Sequence, residues 1–271
     1  FPSAHLSYEF PSNNSIQLSY SRRISRPRFR NLIPFFSLTD NRNFYSGNPN
    51  VGPVFTHSVE LGHLKTWDNG SLLTSVYYRH RDGVIERISQ SDSTGLITTF
   101  PINLSTEDAV GLEFSFSYNL FKWWRVMLSA NTYYSITNGD YEGQSFYAEA
   151  FTARGRFTSK WTVWKRLDIQ TAFMYRAPRN TPQGRSLSRD SWDIGLAMDV
   201  LKGKGTITFS ARDILNSRRR RWEIDTPTLI STNDFQWRAR QFTLSFTYRL
   251  NQKKKRGRSG RGSMDMDGEE F

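Results

Sequence analysis

The stretch 241–250 reads Q-F-T-L-S-F-T-Y-R-L, and its period of two constrains this chain more than any other feature. Phe242, Leu244, Phe246, Tyr248 and Leu250 alternate with Gln241, Thr243, Ser245, Thr247 and Arg249. Successive side chains of an extended strand point to opposite faces. One face is therefore large, apolar and aromatic, while the other carries hydroxyls and charge. A strand of a soluble sandwich also alternates, so the setting has to be decided from the rest of the chain.

The pattern recurs. Ala4, Leu6, Tyr8 and Phe10 share one face, and Ile16, Leu18 and Tyr20 oppose Gln17, Ser19 and Ser21. Leu112, Phe114, Phe116, Tyr118 and Leu120 oppose Glu113, Ser115, Ser117 and Asn119. Further strands are predicted at 56–67, 72–81, 126–134, 147–159, 167–176, 192–200 and 207–211, with the final one starting near Trp237. The total is about eleven. Tight turns are expected at 11–14, at Asp68-Asn69-Gly70, near Lys122, near Lys165 and at Lys202-Gly203-Lys204-Gly205. Long connections are expected at 24–55, from 82 to about Asp108, at 137–144, at 178–188 and at 216–236. Short and long connections thus alternate from end to end. Greek-key sandwiches mix their loop lengths. Transmembrane barrels sort them, with short periplasmic turns and long outward loops.

Composition agrees. Hydrophobic residues make up 37% of the 271 residues, yet aromatics reach 15%. That balance suits a surface facing something apolar on one side only. No run of about 18 apolar residues is present, which excludes a transmembrane helix but not a barrel. The absence of cysteine excludes a disulfide framework and any Cys-based metal or redox site. A net charge of +12 points first to a polyanion, either nucleic acid or an anionic membrane surface. The charge concentrates at 22–30, 218–221 and 253–261, between or after the alternating stretches, and reads as loop and tail charge. Trp67, Trp123, Trp124, Trp161 and Trp164 lie beside short turns, Trp192 and Trp237 beside long loops, and Trp222 inside one. Membrane interfaces collect tryptophan in this way; turn-flanking tryptophan in a soluble β protein is the plainer alternative.

If the short turns are periplasmic, the first and last strands both run toward the periplasm. An open set of strands would leave unpaired edges in lipid. The closing strands are therefore expected from chain upstream of Phe1-Pro2-Ser3, which reads as the middle of a longer protein, or from another chain. The outer edge of 241–250 is expected to be unpaired, and not closed on 4–10.

No catalytic arrangement appears. His5, His57, His63 and His80 are scattered without metal-ligand spacing. No Ser-His-Asp set, nucleophile elbow or phosphate loop is present. Gly47-Asn48-Pro49-Asn50 reads as a turn in a long loop, with a sugar or siderophore contact as second choice. Glu9, Glu60, Arg79, Glu113, Asp168, Arg176, Asp193, Asp199 and Arg249 alternate against apolar neighbours and are expected to point into the lumen. Solvation of the wall and contact with a plug explain them more simply than a substrate path. Arg218-Arg219-Arg220-Arg221-Trp222 reads as a solvated or lipopolysaccharide-facing loop, although guanidinium forks also suit an anion. The segment 253–261 resembles RNA-binding glycine-arginine tails, but the acidic end from Asp265 to Glu270 argues for a self-compensated disordered tail.

Several segments carry a family resemblance. They are F-P-S-A-H-L-S-Y from Phe1, L-S-Y-S-R-R-I-S-R-P from Leu18, G-N-P-N-V-G-P from Gly47, V-E-L-G from Val59, D-I-L-N from Asp213 and F-T-L-S-F-T-Y-R-L from Phe242. The basic-then-acidic tail ending at Phe271 adds to them. Together they resemble the TonB-dependent receptors of Bacteroidetes-type bacteria, over essentially the whole chain. The resemblance implies a barrel of about 22 strands around a plug, of which this chain would supply the C-terminal half. The expected architecture is then an all-β, antiparallel, up-and-down transmembrane barrel over residues 1–250, with a disordered periplasmic tail at 251–271. The implied function is import of a bulky nutrient or metal chelate across the outer membrane of a Gram-negative cell. Outer-membrane lipid and lipopolysaccharide, the missing half-barrel and plug, TonB and an unidentified ligand would be the partners. No enzyme activity, cofactor, metal or nucleic acid is expected. A non-transporting barrel scaffold is the alternative, and a soluble basic β protein that binds nucleic acid is the remaining one.

Overall fold

The fold is described for residues 1–35, 37–38, 41–104 and 106–250 of a computed structural model. Eleven strands form one sheet: β1 (Ser3–Phe10), β2 (Asn14–Ser25), β3 (Val54–Trp67), β4 (Gly70–Asp82), β5 (Thr106–Phe121), β6 (Trp124–Tyr141), β7 (Gln144–Val163), β8 (Leu167–Arg176), β9 (Arg189–Val200), β10 (Gly205–Arg212) and β11 (Gln241–Tyr248). Their spatial order follows chain order, and every neighbouring pair is antiparallel. This is an up-and-down partial barrel. Among the described residues β1 pairs only with β2 and β11 only with β10, so two edges stay open, as the strand count and the sorting of short and long connections led us to expect.

The ladder register fixes the faces. One inner row runs Ser7, Gln17, Gly62, Ser75, Glu113, Asn131, Arg154, Arg176 and Arg189 across adjacent strands. An outer row runs Leu72, Phe116, Leu128, Phe157, Phe173 and Trp192. Among the described residues nothing covers the outer face: Leu6 is 69% exposed and Leu244 74%. Because side chains alternate with period two, one register fixes the sidedness of every strand at once.

Five tight turns close one end. Asn13, Trp164, Lys165, Leu201 and Lys202 take left-handed backbone there. The turn at Asp68-Asn69 needs no left-handed residue, and Gly70 belongs to β4. Its missing Cβ admits the Ser117 carbonyl oxygen of β5. Aromatic rings stack at this end, with Trp123 against Phe121 at 5.3 Å and Trp124 against Trp161 at 6.3 Å between centroids.

The opposite end departs from the sequence reading. The expected loop at 137–144 is strand: β6 and β7 remain paired up to Tyr141 and Gln144, closed by Glu142 and Gly143, both at positive φ. A membrane crossing needs about ten strand residues, and β7 has 20. The excess stands outside the lipid, where neither face has to be apolar. Alternation fades there although the hydrogen-bond ladder continues.

The other long connections also contain strands. Ser37–Leu38, Asn43–Tyr45, Ile97–Asn103 and Ile85–Ser91 form one four-stranded sheet, preceded by a helical turn at Phe29–Leu32. Arg179–Thr181, Gly184–Ser186, Arg220–Thr226 and Leu229–Phe235 form a second. The expected start of the last strand near Trp237 moves to Gln241, because Arg240 is held back by its N–H to the Asn216 side chain. The compact apolar core lies where the first outer sheet meets the far end of the β6–β7 hairpin. Ile88, Ile102, Leu104 and Phe146 are buried together, packed on Phe100 and Tyr141. Among the described residues no helix is long and apolar enough to cross a membrane, which says nothing about crossing by strands. The expected tail at 251–271 lies outside the described residues.

Candidate functional site

Register places Glu9, Glu60, Arg79, Glu113, Asp168, Arg176, Asp193, Asp199 and Arg249 on the inner face, as alternation predicted. Most serve the wall. Thr162 and Thr206 donate hydroxyl hydrogen bonds to Asp168 and Asp199, and Arg249 donates to Thr206 and to the Gly203 carbonyl. Tyr77 and Asn131 exchange hydrogen bonds across the wall. The phenol of Tyr77 lies directly over Gly111, where a Cβ would collide with it.

The histidines do not assemble into a metal site, and no group of metal-ligating side chains occurs among the described residues. His5 faces inward, whereas His57, His63 and His80 share the outer face. His57 bonds the Tyr20 hydroxyl, and His80 bonds Asp108 at 2.8 Å and Asp82 at 3.1 Å. Tyr78 donates to Asp108, and Tyr147 to Glu149. These phenols and their acceptors form a polar–aromatic belt toward the long-loop end, above the apolar band. Such a belt suits a membrane interface, where the ring is buried in lipid and its hydroxyl stays wet.

Gly47-Asn48-Pro49-Asn50 is the turn that was expected. Gly47 passes so close to Arg30 and Ile33 that no Cβ fits, and the Asn48 side chain donates to the Pro101 carbonyl. The run from Arg218 to Trp222 is not an isolated solvated loop. Arg218 donates from one nitrogen to both carboxylate oxygens of Asp193, Arg219 pairs with Asp234, and Arg221 donates to the Ser188 carbonyl. Arg220 and Trp222 border an inner cavity of about 950 Å3. Inner-face residues Arg154 and Arg156 on β7, Arg176 on β8, Arg189 on β9, and Arg28 from the first long connection also line it, with Glu113 the one acidic side chain among the described residues. Burial, and then the charges of Arg87 and Arg176, hold the Arg220 guanidinium below its ordinary range.

Sequence reasoning missed a second feature, a buried carboxylate that ties the outer sheets to the barrel. Glu107 of β5 is 3% exposed and pairs with Arg81 of β4 and, at 2.7 Å, with Arg179 of the second outer sheet. Thr137 donates to it as well. The two outer sheets also clasp each other. The Gln183 side chain accepts from the Ser89 N–H at 2.7 Å and donates to the Ser89 carbonyl. Arg154, Arg156 and Arg189 were also missed. Their alternation against Phe151, Phe157 and Trp192 was visible, but only the register brings them together with Arg176 from three strands.

A sheet in chain order, with one apolar outer face, one polar inner face, and turns and long hairpins sorted to opposite ends, defines a membrane-spanning β-barrel. The model of the outer membrane protein beta-barrel family matches residues 1–248, and the chain belongs to that family. Its place is the outer membrane. No curated protein sequence matches it. Solved structures share the fold at low identity. The siderophore receptor PirA from Pseudomonas aeruginosa is 13% identical with a TM-score of 0.57, over 91% of this chain and 41% of that one. The copper transporter OprC gives 12%, 0.57, 91% and 39% in the same order. The FrpB iron transporter from Neisseria meningitidis gives 13%, 0.58, 91% and 38%. The chain thus spans about two fifths of the length of these receptors and transporters.

Proposed function

We propose that the chain is the C-terminal half of the barrel of a TonB-dependent outer-membrane transporter that imports a bulky nutrient or a metal chelate. The observation that carries this reading is the pair of open edges on an eleven-stranded sheet. A closed barrel has no edges, and unpaired backbone groups in hydrocarbon cost several kcal/mol each. Roughly as many strands again would close the sheet, which agrees with a barrel of about 22 strands around a plug. The outer sheets and the inner cavity would capture the ligand, and the plug would rearrange under force transmitted by TonB from the periplasm. β11 delivers Leu250 to the tight-turn end, so residues 251–271 are assigned to a periplasmic tail. The Bacteroidetes-type subgroup rests on the segments quoted from Phe1, Leu18 and Gly47. The residues gathered here bind and position; none is assigned a reaction.

Uptake by cells tests the reading. Cells carrying the intact protein are expected to accumulate its radiolabelled ligand, and deletion of TonB is expected to abolish that accumulation. Accumulation unaffected by loss of TonB would reject energised import and favour a scaffold role.

A further inference from the structure

Arg154, Arg176 and Arg189 are direct register neighbours on β7, β8 and β9, so three guanidinium groups leave the inner wall side by side. Adjacent strands lie about 4.8 Å apart. Arg156 stands two residues along β7 on the same face, Arg220 reaches in from the second outer sheet, and Arg28 completes the rim. Among the described residues none of these six side chains is paired with a carboxylate, whereas their neighbours Arg218 and Arg219 are. Among the described residues the one acidic lining side chain, Glu113, stands on β5 in the same register row, two strands from Arg154 and three from Arg176.

Crowding like charges in a recess costs free energy, and bulk water offsets it less well inside a cavity than on an open surface. The arrangement is therefore unfavourable when empty and favourable when filled by negative charge. Guanidinium forks match planar carboxylates and tetrahedral phosphates in pairs of hydrogen bonds. A volume of about 950 Å3 suits a small-molecule ligand and not a folded partner. Trp222 supplies one aromatic wall. The cavity opens on the inner face, on the far side of the sheet from the lipid-facing rows, so lipid phosphates do not reach it.

We infer that this arginine cavity is the capture site for a small polyanion carrying several carboxylate or phosphate groups, and that the imported ligand belongs to this class and not to the neutral glycans. The inference deepens the transport reading and rests on it for the word "imported".

Calorimetric titration of the intact, detergent-purified outer-membrane protein tests the site directly. Citrate and tripolyphosphate serve as the polyanion probes, with maltoheptaose as the neutral control. At least one polyanion is expected to bind, more weakly as ionic strength rises, while maltoheptaose gives no heat. The R176Q/R189Q double variant is expected to lose about a hundredfold in affinity, since each hydrogen bond to a charged partner contributes about tenfold. R176K/R189K, which keeps the charge without the fork, is expected to recover only part of it. Heat-modifiable gel mobility checks that each variant still closes its barrel. No polyanion binding by the intact protein would overturn the site, and is the result expected if acidic groups elsewhere in the full-length chain already fill the cluster. Binding unchanged in R176Q/R189Q would overturn it too. Retained binding together with uptake independent of TonB leaves the site standing and removes the transport reading alone. TonB-dependent uptake without polyanion binding does the reverse.

Discussion

Glu107 shows how much one side chain can hold at this end of the barrel. It is buried between Arg81 and Arg179, which are 35% and 30% exposed, and Arg179 also buries an Nε with no hydrogen-bond partner among the described residues. Removing one member of a wholly buried pair costs about 3–5 kcal/mol, and the partial exposure of both arginines lowers this to roughly 2–3 kcal/mol. Glu107→Gln is therefore expected to loosen the outer sheets and not the barrel. Hydrogen exchange should quicken in 85–103 and 179–186 and stay unchanged in β10 and β11. Glu86 stands close by. Burial pushes its carboxyl above the ordinary glutamate range, opposed by the charge of Arg179, supported by that of Glu107 and opposed again by Arg81 and Arg87. A carboxyl that titrates higher when folded binds more protons in the folded state. Its contribution to stability is present below the ordinary range and is lost as pH rises through the raised value. Protection of 85–103 is expected to fall over that rise, and Glu86→Gln should flatten the profile. An unchanged slope in the variant would move the effect to another group.

At the scale of the element, the β6–β7 hairpin joins membrane and outer sheets. Its lower part presents Leu128 and Phe157 outward, while its upper part carries Phe146 into the core of Ile88, Ile102 and Leu104. Gly139 opposes Phe146 in the ladder and approaches Leu104 so closely that a Cβ would touch its backbone. Truncating a large buried aromatic costs about 3–5 kcal/mol. Phe146→Ala is thus expected to free the hairpin tip, seen as faster protease cleavage at Glu142-Gly143 on intact cells, with heat-modifiable mobility preserved. Cleavage no faster than in the parent protein would mean that the ladder alone holds the tip.

For the whole molecule the open edges of β1 and β11 decide behaviour. Each exposes a row of backbone donors and acceptors that lipid cannot satisfy. Produced alone with an export signal, the chain is expected to remain protease-sensitive and to show no heat-modifiable band. Co-production with the upstream half of the barrel should restore both. A chain that closed by itself in detergent would contradict the half-barrel reading. Deleting 241–250 from the intact protein would leave β10 as the edge, and is expected to abolish assembly outright.

The sequence alone determined the staves and their sidedness, because the period of two is local. Phe242 to Leu250 shows it within ten residues, and lipid demands an apolar outer face wherever the strand crosses it. It also marked Glu113 and Arg176 as inward, since each stands among apolar neighbours of opposite parity. The outer sheets were not legible. At Thr137 to Gln144 the buried face is made of Thr137 and Gly139 and not of large apolar side chains, so no hydrophobic alternation reports the ladder, and the polar residues read as a loop. The Glu107 clasp and the arginine cavity were not legible either. Arg81 and Arg179 lie far apart in the chain, as do Arg28, Arg154, Arg189 and Arg220, and only register and loop folding carry them to one place. Periodicity can say which way a side chain points. Which other side chains it meets there is decided by strand pairing and by loops that return from distant strands, and that belongs to the tertiary structure.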